Sequence, residues 1–361
     1  MKNRNMNRRK FIAAAGAVPA VIATPAIAQS LPALKWRLTS SFPKSLDTVF
    51  TAAPTIASKV AELTEGRFQI QTFAAGEIVP GLAVLESVGK GTVELGHSAG
   101  FYYLGQDPSL IFDTGVPFGM TPRQHNAWYY QGNGQKLMGD LYARFGIKAI
   151  PCGNTGAQMG GWFRKEIKTP EDFSGLKMRV AGFGGKVMAK LGVVPQQIAG
   201  GDVYASLERG AIDAVEWVGP YDDQKFGLQK VAKYYYAPGV IELGASTALY
   251  INLKAWNDLP AVYKAALQAA CREAEIEMLA SYDAKNAKAI RELVAGGTKL
   301  SFYTPQIVAA LRKATDEALA EESAKSAGFK AVYDDWRAFR DEQHQWFAIN
   351  DTLAERYVYA K

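Results

Sequence analysis

One arginine in the sequence stands where a carboxylate could be bound. Arg179 lies at the carboxyl end of a predicted strand over residues 176–180, and residues 181–185 after it are rich in glycine. In open α/β sheets, ligands bind beyond the carboxyl ends of the strands. A guanidinium offers a planar pair of donors that matches a carboxylate, and the glycines would let helix N-terminal amides face the same anion. A strand-end arginine in a surface salt bridge is the alternative, and the pattern does not decide between the two.

A glutamate at the end of the next predicted strand could hold a cation. Glu216 and Trp217 lie in the apolar run of residues 214–220. A carboxylate in such surroundings needs a partner of opposite charge, which a bound cation or an arginine would supply. A helix-capping or salt-bridged glutamate is the alternative.

Two amide side chains and two aromatic clusters complete the candidates. Asn154 and Gln158 would supply an amide donor and an oxygen ligand at the edge of a glycine-rich strand. Turn chemistry for Asn154 and edge-strand polarity for Gln158 are the alternatives. The clusters at residues 101–103 and 234–236 could line a cleft, although packing in a core or interface is the more common role of such clusters.

Catalytic and zinc-binding patterns are absent from the sequence. It contains no G-x-S-x-G, no P-loop, no Cys–His pair and no H-E-x-x-H. The histidines at 97, 125 and 344 do not stand at metal-ligand spacing from each other or from a cysteine. Cys152 and Cys271, the only cysteines, are expected to be core thiols, although their spacing leaves a disulfide open.

The composition indicates a globular chain of about two domains. It has 361 residues, of which 48% are hydrophobic and 21% charged. The formal net charge is +6, but five basic residues and no acidic ones fall in residues 1–28, so the rest is almost neutral. The folded part therefore lacks the basic excess that nucleic-acid binding requires, and no nucleic-acid partner is expected.

Residues 1–28 read as a bacterial secretory leader. Arg8 and Arg9 precede an apolar, alanine-rich stretch over residues 11–27, and a small-x-small cleavage site ends at Ala28. The arginine pair followed by an aromatic residue favours twin-arginine export over the general secretory route. Either route predicts a periplasmic protein, and no later apolar stretch reaches the roughly 18 residues of a membrane helix.

The rest of the chain predicts an α/β fold built from two similar sets of elements. The first set has strands at residues 34–38, 68–73, 93–97 and 148–151, with helices at 46–63, 81–89 and 123–145. The second has strands at 158–163, 176–180 and 212–217, with helices from about 184 and at 203–209. Strand–helix–strand order predicts parallel sheets.

A repeated signature supports two similarly built lobes. Residues 88–95 and 207–214 both read helix end, base, capping glycine, β-branched residue, acid and apolar residue. A strand at 247–253, a helix at 259–293, a strand at 299–303 and long helices with a break near Gly328 follow. Two lobes leave a cleft, where small ligands usually bind.

Four segments resemble a known family of receptors. Residues 154–163, 175–180, 193–198 and 213–220 are similar to the solute receptors of tripartite ATP-independent periplasmic (TRAP) transporters, over essentially the whole mature chain. The likeness is to the branch that binds 2-oxo acids such as pyruvate. It implies a two-lobe, type II-like periplasmic binding protein with a hinged cleft, a long C-terminal helix and no enzymatic activity.

The resemblance also implies how the chain is divided. Residues 1–28 would be the leader, 29–151 with about 245–284 the first lobe, 152–244 with about 285–325 the second, and 326–361 a C-terminal helix. The branch forms dimers that exchange this helix, here carrying the aromatic residues Trp336, Phe339, Trp346, Phe347 and Tyr357. The remaining partners would be a small monocarboxylate and the subunits of the membrane permease.

The resemblance assigns roles to individual residues. Arg179 would pair with the carboxylate of the ligand. Contacts to the ligand would also come from three further residues, Tyr102, Tyr103 and Asn154. A metal ion would bridge ligand and protein through the side-chain oxygen of Gln158, the carboxylate of Glu216, the backbone carbonyl of Trp217 and Glu242.

Charge balance favours Na⁺ over Ca²⁺ as that metal. The net charge of the site is zero when one glutamate, one ligand carboxylate and one arginine are joined by a monovalent ion. A divalent ion would leave a net positive charge. Hard cations of either kind accept amide and backbone oxygens. Three alternatives remain open: a receptor for lactate or another 2-hydroxy acid with Ca²⁺, a periplasmic enzyme acting on an oxo acid, and a sensory ligand-binding protein.

Overall fold

Two β-sheets organise the part of the chain that the structure describes. The structure is a computed structural model, and it describes residues 31–360, so the predicted leader and its cleavage site lie outside the described residues. The strands are β1 (Leu34–Ser40), β2 (Phe68–Phe73), β3 (Leu95–Ser98), β4 (Ile147–Asn154), β5 (Gly161–Phe163), β6 (Lys177–Arg179), β7 (Val194–Gln196), β8 (Ala214–Val215), β9 (Tyr234–Ala237), β10 (Ser246–Asn252) and β11 (Lys299–Phe302).

Helices cover these sheets, as expected for an α/β chain. They are α1 (Asp47–Leu63), α2 (Val84–Gly89), α3 (Ile111–Thr114), α4 (Pro122–Gln131), α5 (Gly134–Ala143), α6 (Gly182–Lys190), α7 (Val203–Glu208), α8 (Pro220–Phe226), α9 (Leu253–Asp258), α10 (Ala261–Ala295), α11 (Pro305–Lys325), α12 (Ala327–Ile349) and α13 (Asp351–Tyr359). None of the helices within residues 31–360 has the length and apolar character that a membrane span requires.

The sheets are mixed rather than purely parallel. The first has the order β2-β1-β3-β10-β4 and the second β11-β9-β5-β8-β6-β7. Strands joined through a helix run parallel, as predicted, but β10 is antiparallel to β3 and β4, and β5 is antiparallel to β8 and β9. The physical reason is that β5 and β10 enter from the other sheet, over residues 155–160 and 238–245, without the helical crossover that parallel neighbours need.

The repeated signature marks equivalent positions in the two sheets. Gly91 and Gly210 follow α2 and α7 with φ values of +75° and +73°, a left-handed conformation that favours glycine. The acid three residues after each glycine accepts a backbone hydrogen bond from the neighbouring parallel strand: Glu94 from Arg37 N at 2.8 Å, and Asp213 from Lys177 N at 2.9 Å. The similarity predicted between the two sets of elements is therefore present in their hydrogen bonding.

Two extended segments and one long helix connect the sheets. Residues 155–160 and 238–245 run side by side, since Thr155 N donates to Ala245 O at 3.0 Å and Gln158 N donates to Glu242 O at 3.4 Å. The 35 residues of α10 extend over about 52 Å. This helix contacts α1 and β4 of the first sheet and α8 of the second.

The C-terminal helices return the chain to the first sheet. Whereas α11 packs on α6, α12 packs on the helices of the first sheet, where Trp336 contacts Phe112 at 5.6 Å between ring centroids. The predicted break near Gly328 occurs at Ser326, whose side chain caps α12, and a further break separates α12 from α13 at Asn350.

Three predicted elements differ from the structure. The helix predicted over residues 123–145 is two helices, α4 and α5, because the chain turns at Gly132, where a Cβ would lie 2.7 Å from the backbone oxygen of Trp128. The strands predicted over residues 158–163 and 212–217 shorten to β5 and β8. Their missing ends, Gln158 and Glu216 among them, leave the sheet and turn toward the space between the sheets.

The cysteines and one histidine belong to the core. Cys152 and Cys271 are buried and unpaired, as expected of core thiols. His97 is fully buried between Ser40 and Thr247, with ring nitrogens 3.2 and 3.1 Å from their hydroxyl oxygens. Burial lowers the pKa of His97 to about 3, so the ring stays neutral.

A buried aspartate in α3 makes part of the stability depend on pH. Asp113 accepts a hydrogen bond from the Tyr142 hydroxyl at 2.7 Å, and burial raises its pKa from 3.8 to about 6 despite that bond. Because the folded state holds the proton more tightly than the unfolded state, this contribution is present below about pH 4 and is lost as the pH rises through 6.

Asp113→Asn is therefore expected to flatten the fall of the melting temperature between pH 4 and pH 7, because asparagine cannot ionise. The full pKa shift of Asp113 corresponds to a loss of about 3 kcal/mol in the free energy of unfolding at neutral pH. Thermal unfolding at intervals of half a pH unit measures it, with Asp140→Asn, exposed on α5, as the control. An unchanged slope in Asp113→Asn would contradict the assignment.

Candidate functional site

A cavity lies between the two sheets, beyond the carboxyl ends of β3 and β6. The space between its walls amounts to about 370 Å³, a figure that includes volume open to solvent. Its apolar wall comes from both sides of the cleft, from Phe42, Val49, Phe101 and Val218. Its polar lining comes from Tyr102, Thr155, Gln158, Arg179 and Trp217. A concave pocket with mostly apolar walls and a few convergent polar groups is typical of small-molecule sites.

Arg179 is the last residue of β6 and is only 1% exposed. Its Nη1 donates to the backbone oxygen of Glu216, its Nε lies 3.5 Å from the backbone oxygen of Ile198, and its guanidinium carbon lies 4.3 Å from the centre of the Trp217 ring. A buried guanidinium held by carbonyl oxygens and an indole face is positioned to pair with an anion. The structure thus places the strand-end arginine inside the cleft rather than in a surface salt bridge.

Glu216 is the nearest carboxylate to that arginine. One carboxylate oxygen lies 3.6 Å from Arg179 Nη1, and neither oxygen has a hydrogen-bond partner, although the Glu216 side chain is almost fully buried. Burial raises the pKa of Glu216 strongly, the charge of Arg179 opposes that effect, and Asp223 adds to it. Two unpartnered buried carboxylate oxygens are costly unless something else pairs with them.

The orientation of the Gln158 amide follows from its neighbour Thr155. The Thr155 hydroxyl donates to the backbone oxygen of Gly156 at 3.1 Å, so it can only accept from Gln158 Nε2, at 3.0 Å. The other atom of the amide, Oε1, is then directed away from Thr155, and it is buried without a partner. Gln158 therefore presents an unpartnered acceptor oxygen there.

Glu242 and Asn154 complete the buried polar groups of this region. Burial and the charge of Glu216 raise the pKa of Glu242 well above its usual range, while Arg179 and Gln158 oppose the rise. Asn154 accepts a hydrogen bond from Gly156 N at 3.0 Å, and its Nδ2 donor is buried without a partner. The second chain crossing thus brings an acid to the site, and the end of β4 brings a donor.

The two tyrosines predicted to contact the ligand face different ways. Tyr102 lines the cavity, where burial raises the pKa of its hydroxyl above the usual value. The Tyr103 hydroxyl lies 2.8 Å from the Ser98 hydroxyl and accepts from Leu85 N at 3.2 Å, within the core of the first sheet. Of the predicted residues, the structure brings Tyr102, Gln158, Arg179, Glu216, Trp217 and Glu242 together, with Asn154 beside them, and leaves the Tyr103 hydroxyl apart.

These groups suit a hard cation. Three of the unpartnered atoms here, Gln158 Oε1, Glu216 Oε1 and Glu216 Oε2, are oxygens, the ligand type that Na⁺ and Ca²⁺ prefer. The other two, Asn154 Nδ2 and Trp217 Nε1, are hydrogen-bond donors. Within residues 31–360 no group of three or more His, Cys, Asp or Glu side chains is arranged to hold a metal ion. A cation here would therefore depend on amide and backbone oxygens and on oxygens of a ligand.

Two residues at the cleft, Thr155 and Gly182, have roles that the sequence did not predict. Gly182, at the first turn of α6, has φ +58°, and a Cβ there would lie 2.7 Å from the Cβ of Phe101 on the opposite side of the cleft. The two sides of the cleft approach this closely at Phe101 only because residue 182 has no side chain. The glycine-rich run suggested helix amides facing an anion, whereas at Gly182 the structure shows a steric requirement.

Gly182→Ala is accordingly expected to weaken ligand binding by about tenfold and to lower the melting temperature, because both the φ value and the contact become unfavourable. Gly185→Ala is the matched control on the same helix, since its Cβ would meet nothing closer than 3.5 Å. Calorimetric titration of both variants checks this. Equal affinities would show that the close approach does not matter for binding.

Comparison with family models matches residues 39–326 to DctP, described as bacterial extracellular solute-binding protein, family 7. The chain is also 49% identical over 335 residues to a monocarboxylate 2-oxoacid-binding periplasmic protein of Nostoc sp. strain PCC 7120, covering 93% of this chain and 92% of that protein.

Solved structures of TRAP solute-binding proteins have the same fold. One from Bordetella bronchiseptica RB50 has a TM-score of 0.90 and 47% identity, covering 91% of this chain and 98% of that one. It is a mixed-occupancy dimer with copurified calcium and picolinate in one active site and an apo second site. One from Pseudoalteromonas atlantica T6c, with bound sodium and pyruvate, has a TM-score of 0.87 and 36% identity, covering 89% of this chain and 98% of that one.

Proposed function

Because the chain belongs to family 7 of the bacterial extracellular solute-binding proteins, the DctP family of TRAP receptors, we propose that it captures a small monocarboxylate 2-oxo acid such as pyruvate and delivers it to a membrane permease. Members of the family are receptors rather than enzymes, and they work outside the cytoplasm. The expected fold class, an α/β periplasmic binding protein with a long C-terminal helix, is confirmed by the solved structures.

One observation carries the proposal. A buried guanidinium, Arg179, lies within 4 Å of the buried carboxylate Glu216, whose oxygens have no hydrogen-bond partner, and Gln158 offers a third such oxygen. A 2-oxo acid has a carboxylate for the guanidinium and a keto oxygen beside it. Excluding water from this pocket strengthens each of these contacts.

In this proposal Gln158 Oε1, the Glu216 carboxylate, the Trp217 backbone carbonyl and Glu242 hold a cation between protein and ligand. When bound, the cation would supply positive charge to the ligand's carboxylate and keto oxygens. Arg179 orients the carboxylate, and Tyr102 and Asn154 contact the ligand from the other side. The role predicted for Tyr103 would require its hydroxyl to leave Ser98.

We propose Na⁺ as the ion, with Ca²⁺ as the alternative. The charges of Arg179, Glu216, a monocarboxylate and Na⁺ sum to zero, provided that Glu242 stays protonated. If Glu242 is ionised, the same charge count favours Ca²⁺. Identifying the ion would therefore also indicate the protonation state of Glu242.

A 2-hydroxy acid such as lactate is the second candidate ligand. It presents the same two neighbouring oxygens, and its hydroxyl would also need an acceptor. The unpartnered oxygens of Glu216 favour this candidate as well, because a keto oxygen cannot donate to them.

The remaining proposals concern the whole receptor. The lobes would be residues 29–151 with about 245–284 and residues 152–244 with about 285–325, closing on the ligand. The membership of the two sheets supports this division, although β4 continues to Asn154. Residues 1–28 would be a twin-arginine leader cleaved after Ala28, which would place the mature chain in the periplasm.

A homodimer through the C-terminal helix is proposed as well. The helices α12 and α13 expose several large apolar side chains, including Trp346, Ile349, Tyr357 and Val358. Such a patch at the end of a soluble domain favours a protein partner, and a second copy is the one that the resemblance implies. Light scattering of the mature chain would give its mass, and a monomer at micromolar concentration would contradict this part of the proposal.

A thermal-shift screen tests the central proposal. The mature protein, treated with a chelator and kept in a sodium-free buffer, is scanned with pyruvate, longer 2-oxo acids, lactate and acetate, each with Na⁺, with Ca²⁺ and with neither. A ligand that binds only the folded state raises the melting temperature, so the expected result is a shift with pyruvate that needs a cation. No shift with any 2-oxo or 2-hydroxy acid would overturn the proposal, and consumption of pyruvate would indicate an enzyme.

A further inference from the structure

We propose that Asp223 is the positioning residue of this binding site: its buried carboxylate fixes the two loops that carry Glu216 and Gln158. The inference rests on the proposed function, since it concerns how the same site is held in place. Asp223 lies on α8, behind the loop of residues 216–219, and does not line the cavity.

Three donors converge on the Asp223 carboxylate. Trp162 Nε1 donates to one oxygen at 2.9 Å, and the Tyr235 hydroxyl donates to the same oxygen at 2.7 Å. Val218 N lies 3.4 Å from the other oxygen. The Trp162 and Tyr235 rings are stacked 4.0 Å apart and belong to β5 and β9, so the carboxylate joins two strands of the second sheet to the loop.

Val218 couples the two loops of the site. Its amide faces Asp223, and its carbonyl accepts from Met159 N at 2.9 Å. Met159 is the neighbour of Gln158, and Val218 is two residues from Glu216. One side chain outside the cavity is therefore connected to both of the loops whose oxygens are unpartnered.

The arrangement requires a carboxylate at position 223. All three neighbouring groups are donors, and an ionised carboxylate is the side chain that only accepts. In Asp223→Asn the Oδ1 atom can still accept from Trp162 and Tyr235, but the new NH₂ group then faces Val218 N. Two opposed donors repel, so the loop must move away from α8.

The adjacent residue on the same helix provides a matched control. Asp222 is equally buried and accepts from the Tyr282 hydroxyl at 2.7 Å, but its recorded hydrogen bond leads to α10 and not to the site loops. Asp222→Asn makes the same chemical substitution one position away. If Asp223 acts only on stability, the two variants should affect binding alike.

The experiment measures pyruvate affinity by calorimetry, with the cation held constant and then titrated, for wild type, Asp223→Asn and Asp222→Asn. The expected result is a Kd raised about tenfold in Asp223→Asn, a higher cation concentration for half-maximal binding, and a Kd within about twofold of wild type in Asp222→Asn. The cation requirement separates positioning from general destabilisation, which would not move it. Melting temperatures are recorded alongside.

A second pair keeps the inference testable if Asp223→Asn does not fold. Tyr235→Phe and Tyr282→Phe each remove one hydroxyl donor, at 2.7 Å in both cases, from Asp223 and Asp222 respectively. Only Tyr235→Phe should weaken binding. Equal Kd values across both pairs, with wild type binding normally, would overturn the role of Asp223 alone, whereas a wild type that binds no 2-oxo acid would overturn the proposed function itself.

Discussion

Arg179→Ala is expected to weaken pyruvate binding by more than about tenfold, because a charge-assisted, bidentate contact to the carboxylate is lost. The loss also removes the guanidinium that lies 3.6 Å from the buried Glu216 carboxylate, which disfavours a second negative charge from the ligand. The affinity of Arg179→Lys should lie between those of wild type and Arg179→Ala, since an ammonium keeps the charge but lacks the planar pair of donors. Isothermal titration calorimetry with pyruvate at fixed cation concentration measures the Kd of wild type and of both variants.

The control for this prediction is another arginine of the same sheet. Arg164 directly follows β5, and its guanidinium donates to the backbone oxygens of Leu207 and Glu208 on α7, away from the cavity. Arg164→Ala should leave the Kd unchanged. Unchanged affinity in Arg179→Ala would remove the carboxylate contact from the proposed site.

Glu216→Gln is expected to abolish the cation dependence of binding. Glutamine has the same shape but carries no charge, and charge is what a carboxylate contributes to holding a hard cation. We expect at least about a tenfold loss of affinity at a cation concentration that saturates wild type.

Titration of wild type and variant with Na⁺ and with Ca²⁺, at constant pyruvate, measures this effect and identifies the ion. Glu208→Gln is the control, since its carboxylate lies on α7 and accepts from the Tyr204 hydroxyl at 2.9 Å. Wild-type binding that is equal with and without added cation would contradict the bridging role of Glu216.

Local patterns predicted the elements and the charged centre of the site. Arg179 was found because it ends a strand before a glycine-rich helix start, and Glu216 because a carboxylate stood in an apolar run. Both signals depend on residue type and position in one segment. The structure places Arg179 at the cavity and a Glu216 carboxylate oxygen 3.6 Å from it. Gln158 was a candidate because of its place at the edge of a glycine-rich strand, whereas Glu242 needed the resemblance, because it has no distinctive local pattern.

Long-range features could not be predicted in the same way. The antiparallel direction of β5 and β10 depends on the chain crossing between sheets, for which residues 155–160 and 238–245 give no local sign. The direction of the Tyr103 hydroxyl depends on Ser98 and Leu85, which become its partners only in the fold. The same holds for Asp223, because the three donors around it come from β5, β9 and the loop after β8.

The two segments that cross between the sheets have a consequence for release. They carry Gln158 and Glu242 and are hydrogen-bonded to each other, so a rotation of one sheet against the other changes their backbone dihedrals and displaces those side chains. Affinity and inter-sheet angle are then thermodynamically linked, and such linkage is reciprocal. A membrane partner that selects a wider angle must lower the receptor's affinity for its ligand by the same factor by which the ligand weakens that partner's binding.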